Sequence, residues 1–265
     1  MQDNSALGRA MAMVRDLRKR CAWDRVQTRE TLRPYLVEEV LELDHALAEG
    51  TTAQIRGELS DLLLHLAFQL VIAEEFGEFT ASEVAEELEA KMQRRHPHLF
   101  DLGEAEPWEH IKRRERQGNI LGGLVPTLPA LLMAVRLQER AASVGFDWPD
   151  VEGPLAKVRE ELGEVEEQLE KRVSPAATHG VDPNTPQQAP SDALSEEIGD
   201  LLFAVVNLAR KAGVHAGPAL DLANLKFRKR FEQVEQLAAE RGVDVASAGL
   251  ETLDGLWDEV KGVRQ

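Results

Sequence analysis

Two segments, VREELGEVEEQL at 158–169 and SEEIGDLLFAVVNLA at 195–209, place acidic residues three apart in the second half of the chain. The first holds Glu160, Glu161 and Glu164, and the second holds Glu197 and Asp200. Residues three or four apart share one face of a helix, so each segment is predicted to be a helix with its acids on one side. A packed pair of such helices gathers four or five carboxylates, which repel each other unless a cation lies between them.

The same order of acids occurs once before, in LVEEVLELDHAL at 36–47 and RGELSDLLLHLAF at 56–68. The corresponding residues are Glu38, Glu39, Glu42, Glu58 and Asp61. One acidic cluster would be explained most simply as a solvated helix face, whereas two copies with one spacing favour a binding site. The repeat predicts two domains, at 1–117 and 130–265, joined by the Gly- and Pro-containing linker 118–129.

The position of the acids relative to the apolar residues predicts how the helices pack. When successive residues are placed 100° apart around the helix axis, the apolar residues of each helix lie about 40° to 100° from one of its acids. These stripes are expected to be buried, with the carboxylates meeting at the rim of the core. The stripe residues are Val158, Leu162, Val165, Leu169, Leu194, Ile198, Leu201 and Val205 in the second copy and Leu36, Val40, Leu43, Leu59, Leu62 and Leu66 in the first.

Local signals predict helices almost throughout, and no period-two alternation predicts a sheet. One helix is expected from about Leu32 to Ala48, ending before Gly50. Capping-box spacings at Thr51 and at Thr80 predict further helices, to about Glu75 and about Arg95. The Pro-rich segment 173–190 is expected to be a mobile loop. The fold class is therefore predicted to be all-α.

Composition excludes several functions. The 265 residues carry a net charge of −16, which opposes general nucleic-acid binding. No stretch has the roughly 20 apolar residues of a membrane span, and the amino terminus lacks the apolar core of a signal peptide. A cytoplasmic protein without membrane association is expected.

Carboxylates without Cys or His suit a hard cation, Mg²⁺ or Mn²⁺. Mg²⁺ commonly shares its coordination shell with the phosphates of a substrate. The clusters therefore point to chemistry at a phosphoanhydride.

These acidic signatures resemble those of the MazG nucleoside triphosphate pyrophosphohydrolases in their two-domain form. The likeness extends to CAWDRVQT and RRHPHLF in the first half and to VGFDW, ANLKFRKRF and LETLDGLWDEVK in the second. It implies an all-helical fold of two tandem MazG-like domains, with the helix bundle completed by a homodimer. It also implies Mg²⁺-dependent hydrolysis of nucleoside triphosphates to monophosphate and pyrophosphate, with broad ribo- and deoxyribonucleotide use and a role in sanitation or regulation of the nucleotide pool.

The resemblance assigns roles mainly in the second copy, which is expected to be the main catalytic one. The implied metal ligands and catalytic residues are Glu161, Glu164, Glu197 and Asp200, with Glu160 positioning water. The implied first-copy metal ligands are Glu39, Glu42, Glu58 and Asp61. The implied substrate contacts are Lys157, Glu160, Glu161, Ala193, Glu196, Asp200, Lys226, Arg230 and Trp257.

From the residues alone, Lys226 and Arg230 could equally form an ordinary basic helix face, and Trp257 could be a core residue. Two alternative functions also stay open. One is a narrow-specificity pyrophosphohydrolase of the dUTP or phosphoribosyl-ATP type. The other is an acidic helical scaffold that binds metal without turnover.

Overall fold

The computed structural model describes residues 5–106, 111, 114–115, 119–173 and 192–262, and within these residues every regular element is helical. This confirms the all-α prediction. The chain divides into two compact units, Met1–Glu106 and Pro107–Gln265. Most of the Pro-rich segment 173–190 lies outside the described residues, and the domain boundaries at 118–129 stay a prediction.

The first unit contains five α-helices and a short 3₁₀ turn among its described residues. Their bounds are α1 Ala6–Arg20, α2 Ala22–Arg25, α3 Arg29–Glu49, α4 Thr52–Phe76, α5 Ala81–Arg95 and the turn Pro97–Leu99.

Side-chain caps define the ends of these helices. Thr51 accepts a hydrogen bond from the backbone N–H of Gln54, and the Gln54 side chain accepts one from the Thr51 backbone. Thr80 and Glu83 form the same box at the start of α5. Helix α4 ends at Gly77, whose φ of 66° lies in the left-handed region that glycine adopts without strain. The helix limits predicted at Thr51, Thr80 and Gly50 are confirmed.

The core of the first unit lies between α1, α3 and α4. Phe68 and Ile72 of α4 pack with Val14 of α1 and Leu32 of α3, and all four are almost fully buried. Two ion pairs outside this core, Arg15 with Glu74 and Arg18 with Glu75, link α1 to the end of α4. The acidic helices α3 and α4 are thereby held together, with α1 against α4.

The second unit contains five α-helices among its described residues: α6 Ala130–Ala142, α7 Glu152–Val173, α8 Asp192–Lys211, α9 Ala216–Glu240 and α10 Gly249–Gly262. Helix α7 packs against α8, α6 packs against α8, and α9 packs against α10. Val234 and Ala238 of α9 are buried against Leu256 and Val260 of α10.

Helices α7 and α8 run antiparallel. Asp147, just before α7, pairs with Arg210 near the end of α8, whereas Glu161 within α7 lies close to Glu197 near the start of α8. Gly145, at φ 89°, makes the turn that leads from α6 back toward α8.

The prediction that the apolar stripes are buried is wrong for half of their residues. Val165 and Leu194 are buried, but Leu162 is 46% exposed and Ile198 is 43% exposed. A stripe is buried only where another element packs against it, and the elements of one chain pack against only part of each stripe. The other exposed members are Leu169, Val205, Val40, Leu59 and Leu66. None of the described helices combines the length and the hydropathy that a membrane span requires.

Candidate metal and nucleotide site

Three carboxylates of the second copy meet between α7 and α8. Glu161, Glu197 and Asp200 each offer an oxygen atom, and these atoms all lie within 4.8 Å of one another. We call these residues the second triad. Glu161 is only 5% exposed, Glu197 is half-buried and Asp200 is exposed. The triad therefore runs from the edge of the core to the surface, as the helical spacing predicts.

Lys157 neutralises part of this charge. Its Nζ lies 2.6 Å from Oε1 of Glu161 and 2.8 Å from Oε1 of Glu160. Hydrogen bonds to Glu160 and then Glu161 raise the pKa of Lys157. The Lys157 hydrogen bond, in turn, lowers the pKa of Glu161 despite its burial. Glu161 is therefore an anion at neutral pH, available to a metal that displaces the ammonium.

Glu164 lies next to the triad and is not one of its three members. It shares a hydrogen bond with Glu161, and this bond, with burial and the nearby charges of Glu161 and Glu197, raises the pKa of Glu164. Carboxylates that share a hydrogen bond in this way compete for one proton. A divalent cation bound beside them would relieve that repulsion, so the region is electrostatically suited to one.

The first copy forms the same arrangement between α3 and α4. Oxygen atoms of Glu39, Glu58 and Asp61, the first triad, also lie within 4.8 Å of one another. Burial, followed by repulsion from Asp61, Glu42, Glu58 and Glu38, raises the pKa of Glu39. Glu42 lies outside the triad, in an open groove of about 830 Å³ that Glu38 and Glu58 also line.

Two positions distinguish the copies. Tyr35 precedes Glu39 by four residues, where Lys157 precedes Glu161, so the first triad has no cation at this position. His65 follows Asp61 by four residues, where Ala204 follows Asp200. His65 is buried, its burial lowers its pKa, and its Nδ1 has no hydrogen-bond partner within the described part of the chain.

Both triads fit a hard divalent cation. Three oxygen donors converge within 4.8 Å in each, and in the first triad burial, followed by repulsion from the neighbouring carboxylates, raises the pKa of Glu39. Mg²⁺ and Mn²⁺ prefer carboxylate oxygens and retain positions for water or phosphate oxygens.

The structure does not join the predicted basic residues to the second triad within one chain. Lys226 is exposed and Arg230 is half-buried, and among the described residues neither forms an ion pair with the triad. Trp257 packs against the Phe227 ring, with centroids 5.2 Å apart, and Lys261 lies over its face. It is thus a half-buried packing residue in this chain. Ala193 and Glu196 are exposed on the first turns of α8.

An apolar cavity of about 560 Å³ lies farther along α8 and was not foreseen from the sequence. Phe146, Trp148 and Phe203 contribute aromatic walls, and Gln138 and Asn207 contribute amides. The triad does not line it. The segment VGFDW at 144–148, which carries part of the family likeness, is the sequence signal for it, because aromatic residues flank an acid there.

Comparison with known proteins agrees with this geometry. The family model of the MazG nucleotide pyrophosphohydrolase domain matches residues 27–100 and again residues 151–235. A protein named nucleoside triphosphate pyrophosphohydrolase from Escherichia coli K12 is 38% identical over 262 residues, covering 95% of this chain and 94% of the relative. The nucleoside triphosphate pyrophosphohydrolase/pyrophosphatase MazG of Thermotoga maritima is 40% identical over 248 residues, covering 91% of this chain and 89% of the relative. The Bacillus subtilis protein YabN is 37% identical over 263 residues, covering 94% of this chain and 50% of the relative.

Proposed function

Because the chain belongs to the MazG nucleotide pyrophosphohydrolase family, with the domain present twice, we propose that it hydrolyses nucleoside triphosphates to nucleoside monophosphate and pyrophosphate. The substrates include ribo- and deoxyribonucleotides, and the role is sanitation or regulation of the nucleotide pool. The observation that carries the proposal is the convergence of Glu161, Glu197 and Asp200 in the matched region.

The second triad and Glu164 are the proposed ligands of Mg²⁺, with Mn²⁺ as a substitute. When bound, the metal supplies positive charge to the phosphate oxygens and lowers the pKa of a coordinated water. The protein supplies the geometry. The buried Glu161 fixes one ligand, and the exposed Asp200 leaves the site open to substrate.

Lys157 is proposed to bind phosphate when a metal replaces its ammonium group beside Glu161. Its side chain is 41% exposed and already lies at the triad, so a short movement brings the ammonium to a phosphate oxygen. Glu160, held by Lys157 in the present arrangement, is then free to orient a water molecule. Lys157 thus balances the charge of the site both before and after substrate binding.

A homodimer is proposed to complete the bundle. The uncovered stripe residues, such as Leu162 and Ile198, lie on the helices that carry the second triad, and a second copy would bury them. The same association is proposed to bring Lys226, Arg230 and Trp257 to a nucleotide bound at the triad. Cytoplasmic location is likewise a proposal.

The decisive experiment incubates the protein with a mixture of nucleoside triphosphates and Mg²⁺ beside an Asp200→Ala control, with product identification. Monophosphate plus pyrophosphate, lost in the variant, supports the proposal. Diphosphate plus phosphate places the cleavage elsewhere, and no turnover favours the metal-binding scaffold. Action on one nucleotide alone favours a narrow-specificity enzyme of the dUTP or phosphoribosyl-ATP type.

The second copy is proposed to carry most of the activity, because the first has Tyr35 where the second has Lys157. Glu39→Ala and Glu161→Ala, compared in the otherwise intact protein, test this assignment. A much larger loss in Glu161→Ala is expected. Equal losses would contradict it.

A further inference from the structure

We propose that His65 is a nitrogen ligand of the cation at the first triad, and that it makes this site prefer Mn²⁺ or another first-row transition metal to Mg²⁺. The inference rests on the proposed function, because it extends metal binding from the second triad to the first, which is formed by Glu39, Glu58 and Asp61. It gives the two copies of the domain different metal preferences.

His65 continues the face of α4 that carries two of the triad residues. Glu58, Asp61 and His65 are separated by three and then four residues. Around the helix axis, His65 lies about 20° from Glu58 and about 40° from Asp61, between the two acids. It is about 6 Å beyond Asp61 along the axis. Helix side chains lean toward the N-terminus, so the imidazole leans toward Asp61.

The packing of α3 against α4 places His65 between the hydrophobic core and the triad. Phe68, three residues after His65, packs with Leu32 of α3, whereas Asp61, four residues before it, lies beside Glu39 of α3. His65 is therefore level with the part of α3 between Leu32 and Glu39, and it is only 7% exposed. The charge of Asp61 acts on the ring, because it opposes the lowering of the His65 pKa by burial.

The buried imidazole has an unused nitrogen. Nδ1 of His65 is inaccessible to solvent and has no hydrogen-bond partner within the described part of the chain. A buried polar atom without a partner is unfavourable, and a metal that takes its electron pair would remove this cost. Because burial lowers the pKa of His65, the ring is uncharged at neutral pH, as metal ligation requires.

His65 is a fourth donor that joins when the cation binds. The grouped oxygen atoms, all within 4.8 Å of one another, belong to Glu39, Glu58 and Asp61, and no nitrogen of His65 belongs to this group. The imidazole therefore has to rotate about its side-chain bonds, toward Asp61, to reach a cation held by the three acids.

The second copy has no such donor at the corresponding position. Ala204 follows Asp200 by four residues, where His65 follows Asp61, and Ala204 is 6% exposed. The second triad has the ammonium of Lys157 beside its carboxylates instead. One copy thus combines carboxylates with an ammonium, and the other combines carboxylates with an imidazole.

A nitrogen ligand changes which cation a carboxylate site prefers. Mg²⁺ takes oxygen ligands, whereas imidazole suits transition metals such as Fe²⁺, Ni²⁺ and Zn²⁺. Carboxylates suit Mn²⁺ as well as Mg²⁺. Three carboxylates with one imidazole therefore favour a first-row transition cation over Mg²⁺, and Mn²⁺ is the member of this class whose ligands can be identified by electron spin resonance.

Electron spin-echo envelope modulation of bound Mn²⁺ tests the inference, because a coordinated imidazole nitrogen modulates the echo and a carboxylate oxygen does not. The full chain carries Glu161→Gln, which weakens the second triad, so that the bound Mn²⁺ reports on the first. Labelling with ¹⁵N-histidine identifies the source of the nitrogen. His65→Ala introduces the residue that the second copy has, and His45→Gln is the matched control, because His45 lines the groove beside Glu42.

We expect nitrogen modulation in the Glu161→Gln protein, a changed pattern on ¹⁵N-histidine labelling, and loss of the modulation in His65→Ala but not in His45→Gln. His65→Ala should also weaken Mn²⁺ binding by at least about tenfold in calorimetric titration, because loss of even an outer-shell partner reaches that scale. Mg²⁺ binding should change little. The labelling measurement needs no change at His65, so it tests nitrogen ligation even if His65→Ala does not fold.

Four outcomes would overturn the inference. They are no Mn²⁺ binding in the Glu161→Gln protein, bound Mn²⁺ without nitrogen modulation, loss of the modulation in His45→Gln, and equal losses of Mn²⁺ and Mg²⁺ affinity in a folded His65→Ala variant. The last result would show that His65 only supports the fold.

Hydrolysis of nucleoside triphosphates, measured in the protein without Glu161→Gln, separates this inference from the proposed function. If triphosphates are hydrolysed and any of the four outcomes occurs, the proposed function stands and the role of His65 fails. If nitrogen modulation depends on His65 but no triphosphate is hydrolysed, the proposed function fails and the first metal site stands.

Discussion

Replacing Asp147 with asparagine should destabilise the second unit by about 2 kcal/mol at neutral pH, the scale of a hydrogen bond to a charged group. Asp147 accepts from two nitrogens of Arg210, at 2.5 and 3.2 Å, and Lys211 lies 3.3 Å away. The side chains of Asp147 and Arg210 are 22% and 16% exposed, so solvent screens this pair less than a surface ion pair. Asparagine keeps the shape and removes the charge.

The effect should depend on pH in a defined direction. The hydrogen bond from Arg210, which outweighs burial, lowers the pKa of Asp147 in the folded protein. A group with a lowered folded pKa contributes stability that is fully present above its unfolded pKa, about 3.9, and is lost as pH falls through the folded value. The difference between wild type and Asp147→Asn should therefore be full at pH 7 and should shrink below about pH 4.

Scanning calorimetry of the full chain measures both quantities. A loss of about 2 kcal/mol in a unit of this size lowers its Tm by about 4–8 °C. Asp258→Asn is the matched control, because Asp258 pairs with Lys261 at 3.2 Å with its side chain 67% exposed. Equal Tm shifts in the two variants would refute the reasoning, as would a gap for Asp147→Asn that stays constant from pH 7 to pH 3.

Four further outcomes are expected. Glu161→Gln should weaken Mn²⁺ binding at the second triad by at least about 100-fold, because loss of even an outer-shell partner approaches that scale; calorimetric titration measures it. Lys157→Met should strengthen metal binding without nucleotide by about fivefold, since no ammonium competes for Glu161, yet raise KM for nucleotide. Ile198→Glu should shift the sedimentation coefficient to that of a monomer, because it charges an exposed stripe residue. Phe68→Ala should cost the first unit about 3–5 kcal/mol in urea unfolding, since Phe68 is 2% exposed in the core.

The elements that could be predicted from sequence are those set by local chemistry. A threonine followed three residues later by Gln54 or Glu83 specifies a capping box through bonds within one turn, and both boxes form. The triads could also be anticipated, because residues at three-residue spacing must share a helix face and the repeat required one arrangement to serve twice. Neither inference requires knowing which elements that are far apart in the sequence pack together.

The features that the sequence did not predict depend on contacts between residues that are far apart in the chain. Gln138 and Phe203 are 65 residues apart, and nothing near either residue indicates that the amide of one donates to the backbone of the other. The exposed half of the apolar stripe has a similar origin. A helical wheel gives the direction of Leu162 and Ile198 but does not say whether a residue of the same chain lies there.

The two copies show why an acidic signature alone does not define a working site. Both triads have the same residues, helix pairing and oxygen spacing, yet the pKa of Glu39 is raised and the pKa of Glu161 is lowered. A hydrogen bond from Lys157 is the largest cause that lowers the pKa of Glu161, whereas burial and then repulsion from neighbouring carboxylates raise the pKa of Glu39, which has Tyr35 at the corresponding position. The Lys157 ammonium keeps Glu161 ionised before metal binds, and it is then available to bind a phosphate group. Among the described residues no basic side chain counters the charge of Glu39, so the contribution of the first triad should depend more steeply on metal concentration.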